Sequence, residues 1–229
     1  MKNLHPVASS RSGCRCLPAL LLSAWAAAQY LMVAQAGAED VHTLMRTCAA
    51  CHTPNGNPPS SDIPIIAGQP FTVINDALLL FAAAERPCMA MCGIAAELSP
   101  HEKEALADYL EEQTFVPAKQ EFDPSLAALG AKLHADKGCE TCHSQGGRNG
   151  NGMAPILAGQ RTPYLRNALQ QIKVGTRSGP TVMNQAVRSL SDDEIEALLN
   201  YYARNQDWRP TQAMIPGNAM FSKNHGRKN

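Results

Sequence analysis

The chain is poor in aromatic residues and has no net formal charge. Phe, Tyr and Trp make up 5% of its 229 residues, and 20 Lys and Arg balance 20 Asp and Glu. No dense basic run occurs apart from the tail residues Arg227 and Lys228. A nucleic-acid-binding protein is therefore not indicated, and we expect no nucleic acid among the partners.

Long apolar runs are also scarce, and the main one lies near the N-terminus. Lys2, Arg11 and Arg15 precede an apolar stretch over residues 17–33, and the small residues Ala34, Ala36 and Ala38 follow it. This order is typical of a secretory signal peptide, here residues 1–38. The alternative is a retained membrane anchor, because the stretch approaches the length of a span. We expect removal, which leaves a periplasmic protein without a stable membrane span.

Two five-residue motifs carry the chemistry of the mature chain. Cys48-Ala49-Ala50-Cys51-His52 returns as Cys139-Glu140-Thr141-Cys142-His143, at an offset of 139 − 48 = 91. On a helical turn, cysteines at i and i+3 lie on one face, where both sulfurs reach the vinyl groups of one porphyrin. CxxCH is the attachment motif of c-type haem, so we predict two covalently bound haem c groups. The candidate haem-binding residues are Cys48, Cys51, His52, Cys139, Cys142 and His143.

A structural zinc site is the alternative, since four thiolates can close one. The histidine directly after each cysteine pair is not needed for such a site. The export signal also favours haem.

Further matches show that a whole domain is repeated. The turn that begins at Pro155 repeats the turn that begins at Pro64, and a later segment repeats at an offset of 190 − 98 = 92, from Leu98 to Leu190. We therefore predict two tandem domains. A unit of about ninety residues buries a modest core, so each macrocycle should supply much of the apolar centre. The predicted divisions are domain 1 over 39–114, a linker over 115–124, domain 2 over 125–208 and a poorly ordered extension over 209–229.

The apolar patterns predict helices throughout. A helix should precede each CxxCH motif, and another should cover residues 71–85. Ser99 with Glu102 and Ser191 with Glu194 have the spacing of capping boxes at helix starts. Residues 86–93 and 175–184 are expected to be irregular. The predicted fold class is all-α.

His52 and His143 are the predicted proximal iron ligands. A proximal imidazole needs an acceptor for its other ring nitrogen. Pro64 and Pro155 each follow their histidine by 64 − 52 = 155 − 143 = 12 positions, and a proline carbonyl can accept there. The alternative is that both prolines only bend loops. We expect His42, His101 and His134 to lie at the surface.

The distal ligands are predicted from the repeat. Met183 lies 190 − 183 = 7 residues before Leu190, and Met91 lies 98 − 91 = 7 residues before Leu98. Thioether is a known haem ligand, so the predicted metal ligands are His52, Met91, His143 and Met183.

Cys88 and Cys92 have no counterpart in the second unit, where Pro180 and Asn184 stand instead. In an oxidising compartment two such thiols commonly pair. Alternatively, one thiolate ligates the first iron and lowers its potential. The remaining possibility is two inert thiols.

The charges divide unequally between the two units. Residues 39–117 contain eleven Asp or Glu and three Lys or Arg, a formal charge of −8, and residues 118–229 contain nine and fourteen, a charge of +5. A chain this dipolar should orient in the field of a charged redox partner.

The tandem CxxCH motifs, the Ala-Gly-Gln turns and the spacing from methionine to Leu-Ser resemble the di-haem cytochromes c4. That resemblance implies two class I cytochrome c domains related by an approximate twofold axis, with haems facing across the interface. Three further segments are similar to the cytochrome subunit of flavocytochrome c sulfide dehydrogenase, which implies a flavoprotein donor. These segments are residues 117–123, 129–134 and 157–165.

We therefore predict a periplasmic di-haem electron carrier whose partners are redox proteins, either a flavoprotein dehydrogenase or a terminal oxidase. One alternative is a thiosulfate-oxidising enzyme with a cysteine-ligated first haem. A second is a cytochrome c4 that delivers electrons to a terminal oxidase.

Overall fold

The computed structural model describes residues 40–150 and 152–209. Within these residues the regular structure is helical, apart from one isolated bridge between Ser144 and Asn149. The helices of the first copy are α1 Val41–His52, α2 Phe71–Ala82, α3 Met91–Glu97 and α4 Pro100–Glu111. Those of the second are α5 Pro124–Asp136, α6 Ser144–Gly147, α7 Thr162–Lys173, α8 Thr181–Arg188 and α9 Asp192–Arg204, with a 3₁₀ turn over Cys139–Thr141. The all-α prediction is confirmed.

Matching capping boxes start the last helix of each copy. In α4 the Ser99 hydroxyl accepts from the Glu102 N–H at 3.3 Å, while the Glu102 carboxylate accepts from the Ser99 N–H at 2.7 Å. In α9 the Ser191 and Glu194 pair does the same at 3.1 and 2.8 Å. Each pair satisfies two backbone donors that a helix N-terminus leaves without partners. Both predicted helix starts are confirmed.

In the first copy, α1, α2, α3 and α4 enclose one apolar cluster. Its buried members are Leu44, Met45, Ile74, Leu78, Ala95, Leu106, Ala107 and Leu110. Cys48 and Met91 are half-buried and pack against the same cluster. The attachment helix and the start of α3 therefore both pack on this one core.

In the second copy, α5 crosses α9 at a glycine. A Cβ at Gly130 would lie 2.0 Å from the carbonyl oxygen of Ala197, so only glycine permits this approach of the two backbones. The cluster around the crossing is formed by Leu133, Leu165, Leu190, Ile195, Ala197, Leu198, Leu199 and Tyr202.

Two helices begin where irregular backbone was expected. The structure starts α3 at Met91 and α8 at Thr181, so both candidate distal methionines lie in the first turn of a helix. Gly93 within α3 and Asn184 within α8 weaken the helical signal in the sequence, because both residues have low helix propensity.

Backbone hydrogen bonds repeat between the copies. The Gly56 carbonyl accepts from the N–H groups of Ile66 and Ala67, and the Gly147 carbonyl accepts from those of Leu157 and Ala158. All three pairs are related by the offset of 91, as in 147 − 56 = 91. The loops after the two CxxCH motifs therefore fold alike.

The segment between α4 and α5 is packed against both copies. Phe115 is 1% exposed, packs with Ile65 and Ala67 of the first copy, and stacks on Trp208 of the second with ring centroids 5.7 Å apart. The Trp208 indole N–H donates to the Ala158 carbonyl at 3.3 Å, and the Ala118 N–H donates to the Gly159 carbonyl at 2.8 Å. The segment therefore has fixed contacts although it has no helix.

Among residues 40–150 and 152–209, none of the helices is both long and apolar enough to cross a bilayer. The predicted signal peptide, residues 1–38, lies outside the described residues, as does the predicted extension 209–229 apart from Arg209.

Candidate haem sites

The first CxxCH motif forms the last turn and a half of α1. Cys48 and Cys51 are one helical turn apart on α1, and His52 is its last residue. The helix stops at Thr53, which has a positive φ of 62°. His52 is 8% exposed, and its Nδ1–H donates to the Pro64 carbonyl at 3.2 Å. Nε2 is thereby left as the nitrogen that can bind a metal.

The second CxxCH motif begins in a 3₁₀ turn rather than an α-helix, but its histidine is held in the same way. Helix α5 ends at Asp136, and Gly138, with a φ of 74°, leads into the 3₁₀ turn that carries Cys139. The His143 N–H bonds the Cys139 carbonyl at 2.9 Å, which closes one turn around both sulfurs. The His143 Nδ1–H donates to the Pro155 carbonyl at 2.9 Å. The predicted role of both prolines as acceptors is thus confirmed.

Burial shifts the pKa of His52 and the pKa of His143 in the same direction. It lowers the pKa of His52 and outweighs the bond to Pro64, which acts the other way. It likewise lowers the pKa of His143, again against the bond to Pro155, and nearby His134 adds to the decrease. Both imidazoles are therefore neutral at pH 7, the form that binds a metal.

Burial also raises the pKa of the Cys48 and Cys139 thiols. Both are half-buried, whereas Cys51 and Cys142 are exposed, and none of the four is in a disulfide. The raised pKa keeps the Cys48 and Cys139 thiols protonated, and exposure makes Cys51 and Cys142 accessible. Each motif thus presents two thiols whose S–H groups can add across vinyl groups. Among the described residues, no three His, Cys, Asp or Glu converge as a metal site. The zinc alternative therefore has no support in the structure.

In the first copy, α1 and α3 face each other across a cleft of about 460 Å³. Cys48 lines it from α1, Gly93 and Ile94 line it from α3, and Leu98, the residue after α3, lines it too. Met91, at the start of α3, is half-buried. The structure therefore brings the candidate distal helix opposite the first attachment helix.

A disulfide closes the segment that contains Met91. Cys88 and Cys92 are bonded, with their Cα atoms 5.7 Å apart. Neither sulfur is therefore a thiolate that can ligate the first iron, and the inert-thiol alternative is also wrong. Of the three possibilities for this pair, the structure has the disulfide.

In the second copy, Met183 is half-buried in α8. Its sulfur lies 3.7 Å from the position of a Cβ at Gly179. Asn184, the next residue, bonds both backbone groups of Gly179: its Oδ1 accepts from N–H at 3.1 Å and its Nδ2 donates to C=O at 2.8 Å. A side-chain amide thus closes the loop that the disulfide closes in the first copy.

Comparison with known proteins agrees with this architecture. The family model for cytochrome c matches residues 127–204. A cytochrome c4 from Stutzerimonas stutzeri is 32% identical over 175 residues, which cover 67% of this chain and 82% of that protein. The crystal structure of reduced recombinant cytochrome c4 from Pseudomonas stutzeri aligns with a TM-score of 0.63 at 30% identity, over 72% of this chain and 98% of that one.

The chain belongs to the di-haem cytochrome c4 family. A second relative is the thiosulfate dehydrogenase electron acceptor of Stutzerimonas stutzeri strain A1501, 31% identical over 225 residues, which cover 89% of this chain and 96% of that protein.

As in other cytochromes c4, the cofactors are two covalently bound haem c groups, and the protein is an electron-transfer protein with two tandem cytochrome c domains. The donor set of the chain fits that cofactor. Four unpaired thiols stand in two CxxCH motifs, and each motif ends in a neutral imidazole held through Nδ1.

One buried histidine of the second copy contradicts the sequence prediction. His134 is 2% exposed rather than at the surface. Its Nε2–H donates to Glu140 at 2.7 Å, and its Nδ1 lies 3.0 Å from the Tyr202 hydroxyl. Glu140 stands inside the second CxxCH motif, where its carboxylate also accepts from the Gln145 and Gly146 N–H groups at 2.7 and 3.1 Å. His134 therefore helps to hold the second attachment turn.

An arginine pair at the interface was also not foreseen. Arg86 of the first copy donates to the Tyr164 hydroxyl of the second at 3.1 Å, and Arg177 bonds the same hydroxyl. The two arginines are related by the repeat, since 177 − 86 = 91. The repeat could have shown that the two arginines correspond. Their contact with one tyrosine depends on how the copies pack, which the sequence does not show.

Proposed function

We propose that the protein carries electrons in the periplasm between two redox proteins, with His52 and Met91 as axial ligands of the first iron and His143 and Met183 as those of the second. Each haem supplies an Fe(III)/Fe(II) couple. The proposal is carried by the bond through Nδ1 that holds a neutral imidazole in each CxxCH motif, and it is supported by a methionine in the first turn of a later helix of each copy, Met91 in α3 and Met183 in α8.

In this proposal the prolines, the methionines and the buried histidines each have a different role. The Pro64 and Pro155 carbonyls orient the imidazoles and increase their basicity as ligands. Methionine opposite histidine raises the reduction potential of a c-type haem. Burial of both histidines keeps water from the ligand bonds. Two closed iron sites suit electron transfer and leave no position for a substrate.

Carbon monoxide binding tests this closure. We expect the ferrous native protein to bind carbon monoxide slowly or not at all at both haems. The Met91→Ala variant should open the first haem alone and Met183→Ala the second alone. The exposed Met89, two residues from Met91, provides a matched control, and Met89→Ala should behave as the native protein. Rapid binding to either haem of the native protein would contradict the proposed ligands.

For the electron donor we favour a dehydrogenase that oxidises a sulfur compound. The relative that acts as a thiosulfate dehydrogenase electron acceptor is similar over 89% of this chain. Stopped-flow reduction with a purified thiosulfate dehydrogenase and with a flavocytochrome sulfide dehydrogenase, each with its substrate, compares the two donors. We expect faster reduction by the thiosulfate dehydrogenase. Faster reduction by the flavocytochrome would instead identify the flavoprotein as the electron donor.

The acceptor end of the proposal is a terminal oxidase. The similarity to cytochromes c4 over 67% of the chain favours a carrier that passes its electrons on. Oxygen consumption by oxidase-containing membranes should rise when the reduced protein is added. The apoprotein serves as the control, and unchanged oxygen consumption would argue for another acceptor.

The alternative of a thiosulfate-oxidising enzyme depended on a cysteine ligand to the first iron. Because Cys88 and Cys92 are bonded to each other, that ligand is missing. We therefore expect no reduction of the isolated protein by thiosulfate alone.

A further inference from the structure

The two copies close the segment that contains their methionine in different ways. In the second copy, Asn184 and Gly179 are joined by two hydrogen bonds of 3.1 and 2.8 Å, and Met183 lies inside the closed loop. In the first copy, the Cys88–Cys92 bond encloses Met91. By the offset of 92, Cys92 takes the place of Asn184 and Met91 that of Met183, since 184 − 92 = 92 and 183 − 91 = 92.

The sequence explains why the first copy cannot use an amide. The counterpart of Gly179 is Pro87, since 179 − 87 = 92, and proline has no N–H to donate to an asparagine side chain. A disulfide needs no backbone donor. The Cys88–Cys92 bond can therefore close this loop although Pro87 has no N–H to donate.

We propose that the Cys88–Cys92 disulfide positions Met91 as the ligand of the first iron, as Asn184 positions Met183 for the second, and that the first haem alone is thereby sensitive to thiol reductants. This inference rests on the proposed axial ligands. A covalent bond closes a loop until it is reduced, whereas the bonds of Asn184 are indifferent to thiols. The two haems thus differ in the chemistry that holds their ligand loops.

The disulfide is accessible to such reductants. Cys88 is exposed, and Met89 beside it is fully exposed. A small thiolate attacks the Cys88 sulfur, the S–S bond breaks, and Cys92 leaves as a thiolate that takes up a proton. A second thiol then attacks the mixed disulfide. The protein gains two electrons and two protons, and the reductant leaves as its own disulfide.

Reduction of the disulfide should change the ligation of the first haem more than it changes the stability of the fold. Cys88 is exposed outside the apolar cluster of α1 to α4, whose buried members do not include either cysteine. Freed from Cys88, the turn at Met91 gains backbone entropy, and the methionine must then be ordered by the iron bond alone. We expect the first haem to lose methionine ligation in its ferric state and its reduction potential to fall.

The test uses the holoprotein treated with dithiothreitol, alkylated with iodoacetamide and reoxidised at the haems. Alkylation of both thiols is verified by mass, and untreated protein exposed to iodoacetamide alone is the control. The near-infrared charge-transfer band of methionine-ligated ferric haem should fall to half its intensity, while the remaining half comes from the second haem. An undiminished band, or equal loss from both haems, would overturn the inference.

Variants separate positioning from general destabilisation. Cys88→Ser with Cys92→Ser should reproduce the half-band of the alkylated protein, and Asn184→Ala should weaken the other half. Transplanting the second closure, by Pro87→Gly, Cys88→Pro and Cys92→Asn together, should restore the full band and make it resistant to dithiothreitol. A transplant without the first-haem band would contradict the equivalence of the two closures. If the untreated native protein already lacks the band for one haem, the axial-ligand proposal itself fails.

Discussion

Gln160 of the second copy bonds both backbone groups of Ile65 in the first. Its Oε1 accepts from the Ile65 N–H at 2.9 Å, and its Nε2 donates to the Ile65 carbonyl at 2.8 Å. Gln69 makes the reciprocal pair with Ile156, at 2.9 Å to the N–H and 3.3 Å to the carbonyl. Reciprocal contacts of this kind are what an approximate twofold axis produces. The Ala-Gly-Gln turns thus join the two domains.

Replacing Gln160 should therefore weaken the whole protein. Ile65 and Gln160 are each 2% exposed, so Gln160→Ala leaves a buried N–H and a buried carbonyl without partners. An unsatisfied buried group costs about 1–3 kcal/mol. We expect a loss of that order in the free energy of unfolding, measured by denaturant titration of the holoprotein. Gln69→Ala should cost less because Ile156 is only half-buried.

The exposed Gln185 on α8 is the control, and Gln185→Ala should change stability little. Equal losses in Gln160→Ala and Gln185→Ala would show that the interface bonds are not stabilising.

Glu140 should make the second attachment turn sensitive to acid. Burial acts to raise its pKa, but the bonds from Gly146, His134 and Gln145 outweigh burial, and the pKa is lowered overall. A carboxyl group with a lowered pKa in the folded state stabilises the fold above its unfolded pKa, and the contribution disappears as the pH falls through the folded pKa. Glu140→Gln should therefore melt below the native protein at pH 7, and the difference should shrink as the pH is lowered through the acid range.

Melting curves across that range, followed by circular dichroism, check this. Glu121→Gln, at an exposed position between α4 and α5, is the matched control. A difference between Glu140→Gln and native protein that is independent of pH would contradict the role of the carboxylate charge.

The arginine pair should shift the ionisation of Tyr164. Burial acts to raise the pKa of this hydroxyl, but the charges and hydrogen bonds of Arg177 and Arg86 outweigh it, and the pKa is lowered. Removal of one positive charge by Arg86→Gln should raise the Tyr164 pKa. Carbon-13 NMR titration of ring-labelled, reduced protein measures it, with Tyr164→Phe to assign the signal. Arg204→Gln, which removes an arginine lying over the Tyr201 ring instead, should leave the Tyr164 titration unchanged.

The unequal charges of the two domains should show in the kinetics of electron transfer. Residues 39–117 have a formal charge of −8 and residues 118–229 one of +5. Raising the ionic strength from about 0.01 M to about 0.15 M shortens the Debye length from about 30 Å to about 8 Å. We expect reduction by a charged protein partner to slow over this range, measured by stopped flow. Reduction by a small neutral reductant is the control, and equal salt dependence for both reductants would contradict orientation by charge.

Local chemistry predicted much of the site from the sequence. The CxxCH spacing, the capping boxes at Ser99 and Ser191 and the proline acceptors all depend on residues close together in the chain, and the structure has each of them. The pairing of Cys88 with Cys92 was one of three possibilities, because four residues of separation permit a bond without requiring it.

Contacts between distant segments were harder to predict. His134 was expected at the surface because its partner Tyr202 lies 68 residues away and on another helix. The Ala-Gly-Gln turns were recognised, but the bond from Gln160 to Ile65 spans 95 residues and depends on how the copies meet. Periodicity in one helix does not encode either contact.

Intact-mass spectrometry of the mature holoprotein tests the central claim most directly. The native chain should carry the added mass of two haems, and the pair Cys139→Ala and Cys142→Ala should carry one, as should Cys48→Ala with Cys51→Ala. A native chain with one haem or none, or a variant that keeps both, would contradict two separate attachment sites at these four cysteines.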